Sequence, residues 1–302
     1  MTAPAPAIAT CSMADPPPRF SLVVATLGRA DELRQLFRSL QTQDCTDFEV
    51  IVVDQNADDR LVPIIGAFAP TMPIRHVRAP MRNSSFARNA GVPYCTGDIT
   101  AFPDDDCIYP AKILSFVADA FASDPQLGIL TGPAITPTGK LGSGRWAPSR
   151  TLIGMNNAFT TVICFNMFLR RESLAQAGGF DEALGVGAEF GSCEENDLVV
   201  RSVLAGVKAV YDPTLRVVHP DKRMTPTAVA RAFRYGTGVG YVLRKHRFSV
   251  SAVAIFLIRP LGGALVSLLR LRPTQAAYYW QTLRGRLYGW RAGRNASTRV
   301  TR

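Results

Sequence analysis

Residues 20–56 read FSLVVATLGRADELRQLFRSLQTQDCTDFEVIVVDQN, and this stretch decides the fold. It opens with a short apolar run, Phe20 to Thr26, and closes with a second one, Val50 to Val53, that ends at Asp54. Between the two runs, apolar residues recur with the spacing of one helix face, at Leu33, Leu36, Phe37 and Leu40. This order predicts a strand, a helix and a second strand, which together form a β-α-β unit.

The same alternation continues to about residue 130. Further strands and helices are expected at Leu61 to Phe68, Ile74 to Val77, Ser84 to Gly91, Ile99 to Phe102, Ala111 to Phe121 and Gly128 to Leu130. Strands that alternate with helices predict an α/β fold with a mostly parallel sheet covered by helices on both faces. In such folds ligands bind beyond the carboxyl ends of the strands, so polar residues just after each strand are candidate site residues.

Beyond residue 132 the pattern loosens into a Gly/Pro-rich stretch and then returns. An apolar stretch covers Thr160 to Leu169, and a helix is expected from about Glu194 to Leu204. A strand pair, Lys208 to Tyr211 with Leu215 to Val218, is expected to close this part of the chain at His219.

Charge is distributed unevenly along the 302 residues. Residues 1–221 carry 18 Lys+Arg against 24 Asp+Glu, whereas residues 222–302 carry 16 Lys+Arg and no acidic residue. The overall charge of +10 therefore belongs to a mildly acidic body followed by a strongly basic segment. A basic segment suits an anionic membrane or nucleic acid, but no motif that reads nucleic acid accompanies it, so a nucleic-acid partner is not expected.

The cysteines and the first residues bear on the compartment. The six cysteines show no CxxC pair and no regular spacing, which favours neither a zinc site nor a disulfide framework and is typical of a reducing cytoplasm. Residues 1–19 are Ala/Pro-rich, contain Asp15, and lack the basic start and apolar run of a secretory signal. They are expected to be a disordered leader.

Three consecutive carboxylates, Asp104, Asp105 and Asp106, follow the predicted strand that ends at Phe102. Their mutual repulsion has to be offset by a cation or by strong hydrogen bonds, and a divalent metal, Mg²⁺ or Mn²⁺, is the simplest partner. The alternative is a solvated acidic turn that caps the helix beginning near Pro110. Position after a strand favours the metal, which as a Lewis acid would stabilise a departing diphosphate.

Seven short motifs, in order between residues 20 and 219, resemble family 2 glycosyltransferases. Those at 25–29, 52–56, 87–91 and 97–106 resemble the nucleotide-binding half of that family, and those at 178–182, 194–201 and 218–219 resemble its acceptor half. The resemblance implies a Rossmann-like GT-A fold and an inverting transfer of a sugar from a nucleoside diphosphate to an acceptor hydroxyl.

Position by position, the resemblance implies a nucleotide-sugar site beside a metal site. Asp54 would accept a hydrogen bond from a pyrimidine ring nitrogen, Asp104 would lie nearer the ribose, and Asp106 would bind the metal. His219 would complete the metal shell, although a surface histidine after a strand is the alternative. The residues assigned to the nucleotide sugar are Thr26, Arg29, Asp54, Asn56, Arg88, Asn89, Asp104 and Asp105, with Arg29 and Arg88 serving the base or the phosphates.

The catalytic base is expected in the pair Glu194 and Glu195. A carboxylate there would take the proton of the acceptor hydroxyl as that oxygen attacks the anomeric carbon. Neighbouring residues on a helix point about 100° apart, so only one of the two faces the reaction. The resemblance selects Glu195, and because relatives commonly carry Asp at that position, Glu194 stays open as the alternative. Asp197 and Arg201 are expected to form an i, i+4 ion pair rather than to take part.

Two glycine runs suggest mobility or phosphate binding. Gly185, Gly187 and Gly191 precede the glutamate pair and fit either a flap that closes over the substrates or a plain connecting loop. Gly236, Gly238 and Gly240 superficially resemble a dinucleotide-binding loop, but they follow no strand, which disfavours that interpretation.

The basic segment contains a nearly uncharged stretch, Ser249 to Leu271, that is long enough to cross a bilayer. Arg259 and Pro260 divide it, and a central Arg costs roughly 2.5 to 3.5 kcal/mol on insertion scales. Flanking arginines and aromatics favour helices that lie in the interface of an anionic membrane, ahead of a true span or packing against the body. A set of basic and aromatic residues resembles a basic element that follows the catalytic domain in some members of the family: Arg231, Phe233, Arg234, Tyr235, Arg244, Lys245 and His246. The resemblance implies that they bind a lipid-linked diphosphate acceptor or face anionic headgroups.

These features predict three regions: a leader at 1–19, a GT-A catalytic domain at 20–221, and a basic, apolar, membrane-associated helical extension at 222–302. The expected function is glycosyl transfer to a carbohydrate or lipid-linked acceptor, in surface polysaccharide or glycolipid synthesis, at the cytoplasmic face of the cell membrane. One rival is a nucleotidyltransferase, although the segment after Phe20 offers a single Gly where that class usually has a Gly-rich phosphate loop. The other is an inactive membrane- or nucleic-acid-binding adaptor, which the intact Asp104, Asp106, Glu195 and His219 disfavour.

Overall fold

The structure, a computed structural model, describes residues 20–79, 81–142, 144–220 and 224–295. The leader expected at 1–19 lies outside the described residues. The strands are β1 Phe20–Thr26, β2 Phe48–Asp54, β3 Ile74–Arg78, β4 Ile99–Ala101, β5 Leu127–Thr131, β6 Ala134–Ile135, β7 Thr151–Leu152, β8 Met167–Arg170, β9 Lys208–Tyr211 and β10 Val217–Val218. The helices are α1 Asp31–Gln41, α2 Val62–Phe68, α3 Ser84–Gly91, α4 Ile113–Ser123, α5 Arg171–Ala177, α6 Glu194–Leu204, α7 Pro226–Lys245, α8 Val250–Leu269 and α9 Pro273–Ala292.

A twisted sheet in the order β3-β2-β1-β4-β8-β5-β9-β7 forms the centre of the body, by which we mean residues 20–220. Strands β1 to β4 pair in parallel, as the alternating pattern predicts. Strand β8 is antiparallel to both of its neighbours, β4 and β5. The sheet is therefore mostly parallel in its first half and mixed in its second.

Apolar side chains bury the sheet on both faces. Leu22 and Val24 of β1 point to one face, where they join the core under α1, α2 and α4. Val23 between them points to the other face, with the side chains of α3, α5 and α6. Successive side chains of a strand alternate between faces, so a continuous apolar strand is the sequence of a doubly covered sheet. The α/β architecture with helices on both faces is thus as the sequence predicts.

One expected pairing is wrong. The strands near 208–211 and 215–218 do not pair with each other: β9 lies in the main sheet between β5 and β7, and β10 pairs with β6 in a separate two-stranded sheet. The short connection suggested a hairpin, but β9 instead completes the parallel ladder of β5. This arrangement brings His219, directly after β10, back to the acidic turn that follows β4, because Ile108 bridges to Val218.

The basic segment is helical, as expected, and we call α7, α8 and α9 (residues 224–295) the helical unit. Helices α7 and α9 pack with their backbones almost in contact. A Cβ on Gly240 would lie 2.0 Å from the carbonyl oxygen of Arg286, and a Cβ on Gly289 would lie 1.9 Å from that of Thr237. Gly236 and Gly285 approach the opposite helix in the same way. The glycines of α7 thus permit close helix packing, and the structure gives them no phosphate-binding loop.

Helix α8 leaves much of its apolar surface uncovered. Among the described residues it is the only helix long and apolar enough to cross a membrane, with a mean hydropathy of 2.0, and little of it is buried. Its large exposed side chains are Val250, Ile255, Ile258, Leu261, Leu265, Val266, Leu268 and Leu269. Large exposed apolar surfaces are typical of regions that contact another protein or a membrane.

An ion cluster joins the helical unit to the body. The carboxylate of Asp197, on α6, is fully buried and contacts Arg201 at 2.8 Å, Lys245 Nζ at 2.7 Å and His246 Nε2 at 2.8 Å. Lys245 Nζ also lies 2.6 Å from Asp181. The expected Asp197–Arg201 pair is present. These contacts also fix the end of α7 against α6, which carries the glutamate pair.

Candidate active site

A cleft of about 560 Å³ opens beyond the carboxyl ends of β1 and β4, where the α/β pattern places a ligand site. It is bounded by the acidic turn after β4, by the start of α6, by the loop before α6 and by the first half of α7. The lining residues that carry charge or a ring nitrogen are Arg29, Arg82, Arg88, Asp104, Asp105, Asp106, Glu194, Glu195, His219 and Arg231. The volume lies within the range of small-molecule sites.

The acidic turn is neutralised in part by Arg29. Its Nη1 lies 2.7 Å from Asp105 Oδ1 and 2.5 Å from Asp106 Oδ2. Burial raises the pKa of Asp105 to about 6, although Arg29 and Thr26 oppose the rise. The turn is therefore a partly buried cluster held by a cation, and it differs from the solvated acidic turn that was the alternative.

Asp104, Asp106 and His219 form a group with the composition of a metal site. One ligand atom from each lies within 4.8 Å of the others. Asp106 Oδ1 is buried and has no aligned hydrogen-bond donor among the described residues, and His219 Nε2 lies 3.2 Å from it. Carboxylate oxygens suit Mg²⁺ and Mn²⁺, and an imidazole nitrogen is a common ligand of transition ions. These residues fit a divalent cation, and Asp104, which the resemblance assigns to the nucleotide sugar, belongs to this group.

The His219 ring is held in place by two contacts. It stacks on Phe165 with ring centroids 4.6 Å apart, and its Nδ1 lies 2.7 Å from the Pro220 carbonyl oxygen. That contact leaves Nε2 facing the carboxylates. Burial lowers the pKa of His219, but Asp106 outweighs burial, so the net pKa is raised; for Asp106 burial acts upward and His219 and Arg29 bring the net pKa down.

The two glutamates at the start of α6 have different surroundings. Glu194 is buried, and its Oε1 accepts a hydrogen bond of 2.8 Å from Arg88 Nη1. Arg88 Nη2 reaches Asp104 Oδ1 at 3.1 Å, so this buried guanidinium bridges the glutamate pair and the acidic turn. Glu194 is therefore neutralised by a cation inside the protein, which makes it a weak candidate for the base.

Glu195 lines the same cleft, and among the described residues no cation pairs with its carboxylate. Burial and the negative charge of Glu194 raise its pKa to about 8. A carboxylate with a pKa near the working pH is the kind of group that accepts a proton in general base catalysis. The surroundings of the two glutamates therefore differ, and they favour Glu195 as the base, a choice that the sequence left open between Glu194 and Glu195.

The residue before the pair has an unusual backbone. Cys193 adopts the left-handed conformation, with φ 68° and ψ 21°, and it is buried. For a residue with a Cβ this conformation carries strain, which the surrounding packing has to maintain. The turn at Cys193 starts α6 at Glu194, so both glutamates occupy the first helical turn beside the cleft.

The structure does not bring four of the expected nucleotide residues to the lining of the cleft: Thr26, Asp54, Asn56 and Asn89. Asn89 binds the 178–182 turn, because it donates to the Phe180 carbonyl oxygen at 2.9 Å and accepts from the Phe180 amide at 2.8 Å. Asn56 accepts from the Gly28 amide at 2.7 Å. Thr26 is buried beside the Arg29 carbonyl oxygen. Their contacts are with the protein itself.

Asp54 is saturated by protein donors. Its Oδ1 accepts from the amide and the side chain of Asn56, both at 2.8 Å. Its Oδ2 lies 2.9 Å from His76 Nε2 and 3.2 Å from Arg78 Nη1. For Asp54 to accept a hydrogen bond from a base, as the resemblance implies, one of these donors has to move away.

The glycine loop before α6 is tightly bound. The Ser84 amide donates to the Val186 carbonyl oxygen at 2.9 Å, and Ser85 Oγ donates to that of Leu184 at 2.6 Å. Gly185 and Gly187 have φ of 103° and 90°, and a Cβ on Gly187 would lie 2.0 Å from the Arg82 carbonyl oxygen. These contacts favour the plain connecting loop over the flap.

Several contributors were missed by sequence reasoning. His76 contacts Asp54 from the neighbouring strand, Phe165 stacks on His219, and Arg82 lines the cleft without a carboxylate partner among the described residues. His76 and Phe165 belong to no motif used here, and their roles follow from packing between distant segments. Arg82, just before the motif at 87–91, carried only a weak signal.

Comparison of the sequence with known proteins identifies related glycosyltransferases. The model for "Glycosyl transferase family 2" matches residues 21–176. The chain is 30% identical over 108 residues to the "Uncharacterized glycosyltransferase YibD" of Escherichia coli (strain K12), which covers 35% of this chain and 31% of that protein. It is 28% identical over 202 residues to the "PGL/p-HBAD biosynthesis glycosyltransferase" of Mycobacterium tuberculosis (strain ATCC 25177 / H37Ra), which covers 65% of this chain and 77% of that protein.

The fold is also that of a solved enzyme. The mannosyltransferase PcManGT from Pyrobaculum calidifontis, in complex with GDP-Man and Mn²⁺, matches with a TM-score of 0.63 and 18% identity, over 91% of this chain and 88% of that one. At this identity the likeness shows the fold, and it confirms the predicted GT-A architecture with helices following it. The aligned part of the chain spans under a third of YibD and most of the mycobacterial relative.

Proposed function

The chain belongs to glycosyl transferase family 2, and from that premise we propose that it transfers one sugar from a nucleoside diphosphate to an acceptor hydroxyl, with inversion at the anomeric carbon. One observation carries the proposal: one cleft contains both the metal-compatible group around Asp106 and the carboxylate of Glu195, which has a raised pKa and no paired cation among the described residues. The first suits a diphosphate leaving group, and the second suits an attacking hydroxyl.

In this proposal Glu195 is the general base. Its carboxylate takes the proton of the acceptor hydroxyl while that oxygen attacks the anomeric carbon from the face opposite the diphosphate, which inverts the configuration. Arg88 holds Glu194 at 2.8 Å and leaves Glu195 without a paired cation among the described residues. The charge on Glu194 also keeps the pKa of Glu195 high, so the pair divides into a structural and a reactive member.

Asp104, Asp106 and His219 are proposed to hold a divalent cation, and their imidazole nitrogen favours Mn²⁺ over Mg²⁺. When bound, the cation supplies Lewis-acid stabilisation of the negative charge on the diphosphate. Arg29 and Arg88 add positive charge on the same side of the cleft, where they contact the acidic turn. The Mn²⁺ present in PcManGT, a protein of the same fold, supports this assignment.

The nucleoside is proposed to lie at the carboxyl ends of β1 and β2, where Ala25, Leu27 and Gln55 line the cleft. Thr26, Asp54 and Asn56 alternate with these residues and are buried or half-buried behind them. Asn89 does not line the cleft, and in this proposal it contributes indirectly by fixing the 178–182 turn. The choice among UDP, dTDP and GDP stays open.

The acceptor is proposed to enter from the side of α7, and the enzyme to work on a surface polysaccharide or glycolipid at the cytoplasmic face of the membrane. Arg82 and Arg231 line the cleft there, and neither has a carboxylate partner among the described residues. The exposed apolar surface of α8 and the excess of basic residues around it support a peripheral membrane attachment.

The proposal is tested by binding UDP, dTDP and GDP to the purified protein with and without Mn²⁺. We expect one diphosphate to bind in a Mn²⁺-dependent manner, with binding lost in Asp106→Ala and kept in Asp119→Ala, a change at an exposed carboxylate on α4. Absence of Mn²⁺-dependent binding for every diphosphate would overturn the donor site. Once the donor sugar is known, NMR of the sugar released by slow hydrolysis should show the anomer opposite to the donor, and retention would exclude inversion.

A further inference from the structure

Gln55 directly follows β2, and its side chain reaches the start of α3. The side chain is 8% exposed and lines the cleft. Its Oε1 accepts a hydrogen bond of 2.9 Å from the backbone amide of Asn83. A backbone N–H can only donate, so the carboxamide oxygen has to face Asn83 and the carboxamide nitrogen has to point away from it. The protein therefore fixes which end of the Gln55 carboxamide is free.

Asn83 is a firmly held partner for this contact. It is the N-cap of α3, where its Oδ1 accepts from the amides of Ser85 and Phe86 at 2.9 and 3.1 Å. Its Nδ2 donates to the Glu182 carbonyl oxygen at 2.8 Å. Because both ends of the Asn83 side chain are bound, its backbone amide has little freedom to move. The carboxamide of Gln55 is held with it.

The Nε2 group of Gln55 has no acceptor among the described residues, and packing does not seal it off from the cleft. It therefore offers N–H donors to a ligand. The polar side chains on either side of it are committed to the protein. Asp54 accepts from Asn56, His76 and Arg78, and the Asn56 oxygen accepts from the Gly28 amide. Gln55 is thus the residue after β2 whose polar group stays available.

The position of Gln55 in the sheet indicates which part of the donor it meets. The strand order β2-β1-β4 puts Gln55 two strands away from the acidic turn after β4, or about 10 Å at the usual strand spacing. In the proposed function the diphosphate lies at that turn, so the part of the nucleoside furthest from the phosphates, the base, lies at Gln55. Ala25 and Leu27, at the end of the intervening β1, give the cleft an apolar surface that suits the face of a ring.

We propose that Gln55 selects the nucleobase of the donor by donating a hydrogen bond from Nε2 to a ring carbonyl oxygen. This inference rests on the proposed function and names the class of base: one with a carbonyl at the edge furthest from the ribose, as in uracil, thymine or guanine. Cytosine and adenine carry an amino group there, which would set two donors against each other. A donor left without an acceptor costs binding energy, so the amino bases bind less tightly.

The test compares nucleoside diphosphates that differ at this edge of the base. UDP and CDP form one such pair, with a carbonyl or an amino group at C4, and GDP and ADP form the other, with the same difference at C6. Calorimetric titration of the full-length protein in the presence of Mn²⁺ gives the ratio of affinities within each pair. In the pair that contains the nucleotide that the protein binds, we expect the carbonyl base to bind about tenfold more tightly than the amino base.

Two variants change the donor in different ways. Gln55→Met removes it at similar volume and without adding charge, and the Asn83 amide keeps the Met81 carbonyl oxygen at 3.0 Å as an acceptor. The preference within the pair should disappear. Gln55→Glu keeps an oxygen facing Asn83 and replaces the nitrogen with an acceptor, so the amino base should become the preferred one. Gln35→Glu, the same change at an exposed position on α1, is the control and should keep the wild-type preference.

The ratio within a pair is a readout that a purely structural role would not move. If Gln55→Met weakens binding of both members equally and keeps their ratio, Gln55 only supports Asn83 and the inference is overturned. An unchanged preference in Gln55→Glu overturns it as well. Nucleoside diphosphate binding by the wild type without a preference for the carbonyl base ends this inference alone. Absence of Mn²⁺-dependent binding of every diphosphate ends the proposed donor site, and this inference with it.

Discussion

The body and the helical unit neutralise their cations in different ways. In the body, Arg29, Arg88 and Arg201 each contact buried or half-buried carboxylates at 2.5–3.1 Å. In the helical unit four arginines lie over aromatic rings, among them Arg244 at 4.9 Å from the Trp290 ring centre and Arg284 at 5.9 Å from that of Phe233. A ring attracts a cation without cancelling its charge. The body therefore neutralises these cations with its own carboxylates. In the helical unit Lys245 is neutralised in the same way at the Asp197 cluster, whereas the rings leave the charges of Arg244 and Arg284 in place.

The largest effect should come from Glu195, the carboxylate of the cleft with which no cation pairs in the part of the chain that the structure describes. Glu195→Gln should lower the rate of sugar transfer, or of donor hydrolysis, by about 10²- to 10⁴-fold, because the group that accepts the proton is lost. Nucleoside diphosphate binding should persist. Steady-state kinetics and nucleotide titration check both.

Glu189→Gln, an exposed change in the preceding loop, is the control and should keep its activity. The assignment would be wrong if Glu195→Gln stayed active while a folded Glu194→Gln variant did not.

The next effect concerns the contact between the two regions. Asp197→Ala leaves Arg201, Lys245 and His246 around an empty site, and removal of one partner from a buried ion cluster costs about 3–5 kcal/mol. Urea unfolding should show this loss of stability. Asp58→Ala removes an exposed pair with Arg60 and should leave the unfolding midpoint unchanged. Similar midpoints for both variants would mean that the cluster does not hold the regions together.

Packing inside the helical unit gives a smaller effect. Gly240→Ala would place a Cβ 2.0 Å from the Arg286 carbonyl oxygen, so α7 and α9 have to separate at a cost of about 1–3 kcal/mol. Gly66→Ala on α2 is the matched control, because nothing lies within 4 Å of its added Cβ, and Ala is favoured over Gly in a helix. Thermal unfolding should separate the two variants in sign. A stabilising Gly240→Ala would show that the helices are not in close contact.

The smallest effect is a pH dependence specific to the body. Burial and Glu194 raise the pKa of Glu195 to about 8, and the base acts in its deprotonated form. The transfer rate should therefore fall as the pH falls through that value, by about tenfold between pH 9 and pH 7. Partition of the protein onto anionic vesicles should change little over the same range. A rate that is flat between these pH values would mean that Glu195 has an ordinary pKa or is not the base.

Local patterns were sufficient to predict most of the fold. The alternating apolar runs gave β1, β2 and α3 to within two residues, and Glu194–Leu204 coincides with α6. The pairing of β9 was wrong, because a short connection suggests a hairpin while the partner of β9 is β5, about 80 residues earlier in the sequence. Strand existence is a local property of the chain, and strand partnership depends on the whole sheet.

The residues that line the cleft were predictable in part, since Thr26, Asp54, Asn56 and Asn89 do not line it, and their contacts were less predictable. Asp104, Asp105, Asp106, Glu194 and Glu195 do line one cleft with His219. Which glutamate is free depends on Arg88, 106 residues from Glu194 in the sequence, and no local pattern encodes that bond. Asp54 likewise has partners from the adjacent strand. These assignments depend on three-dimensional neighbours, which a motif cannot specify.

The ion cluster at Asp197 has a consequence for how such a protein can change during evolution. A recombination event that exchanged the basic helices for those of another protein would leave a buried aspartate without Lys245 and His246. A hybrid would be viable only if the new helices carried cations at the positions of Lys245 and His246. Otherwise Asp197 would have to change in the same lineage. The two segments should therefore be inherited together, with residues 181, 197, 245 and 246 varying as a group across homologues.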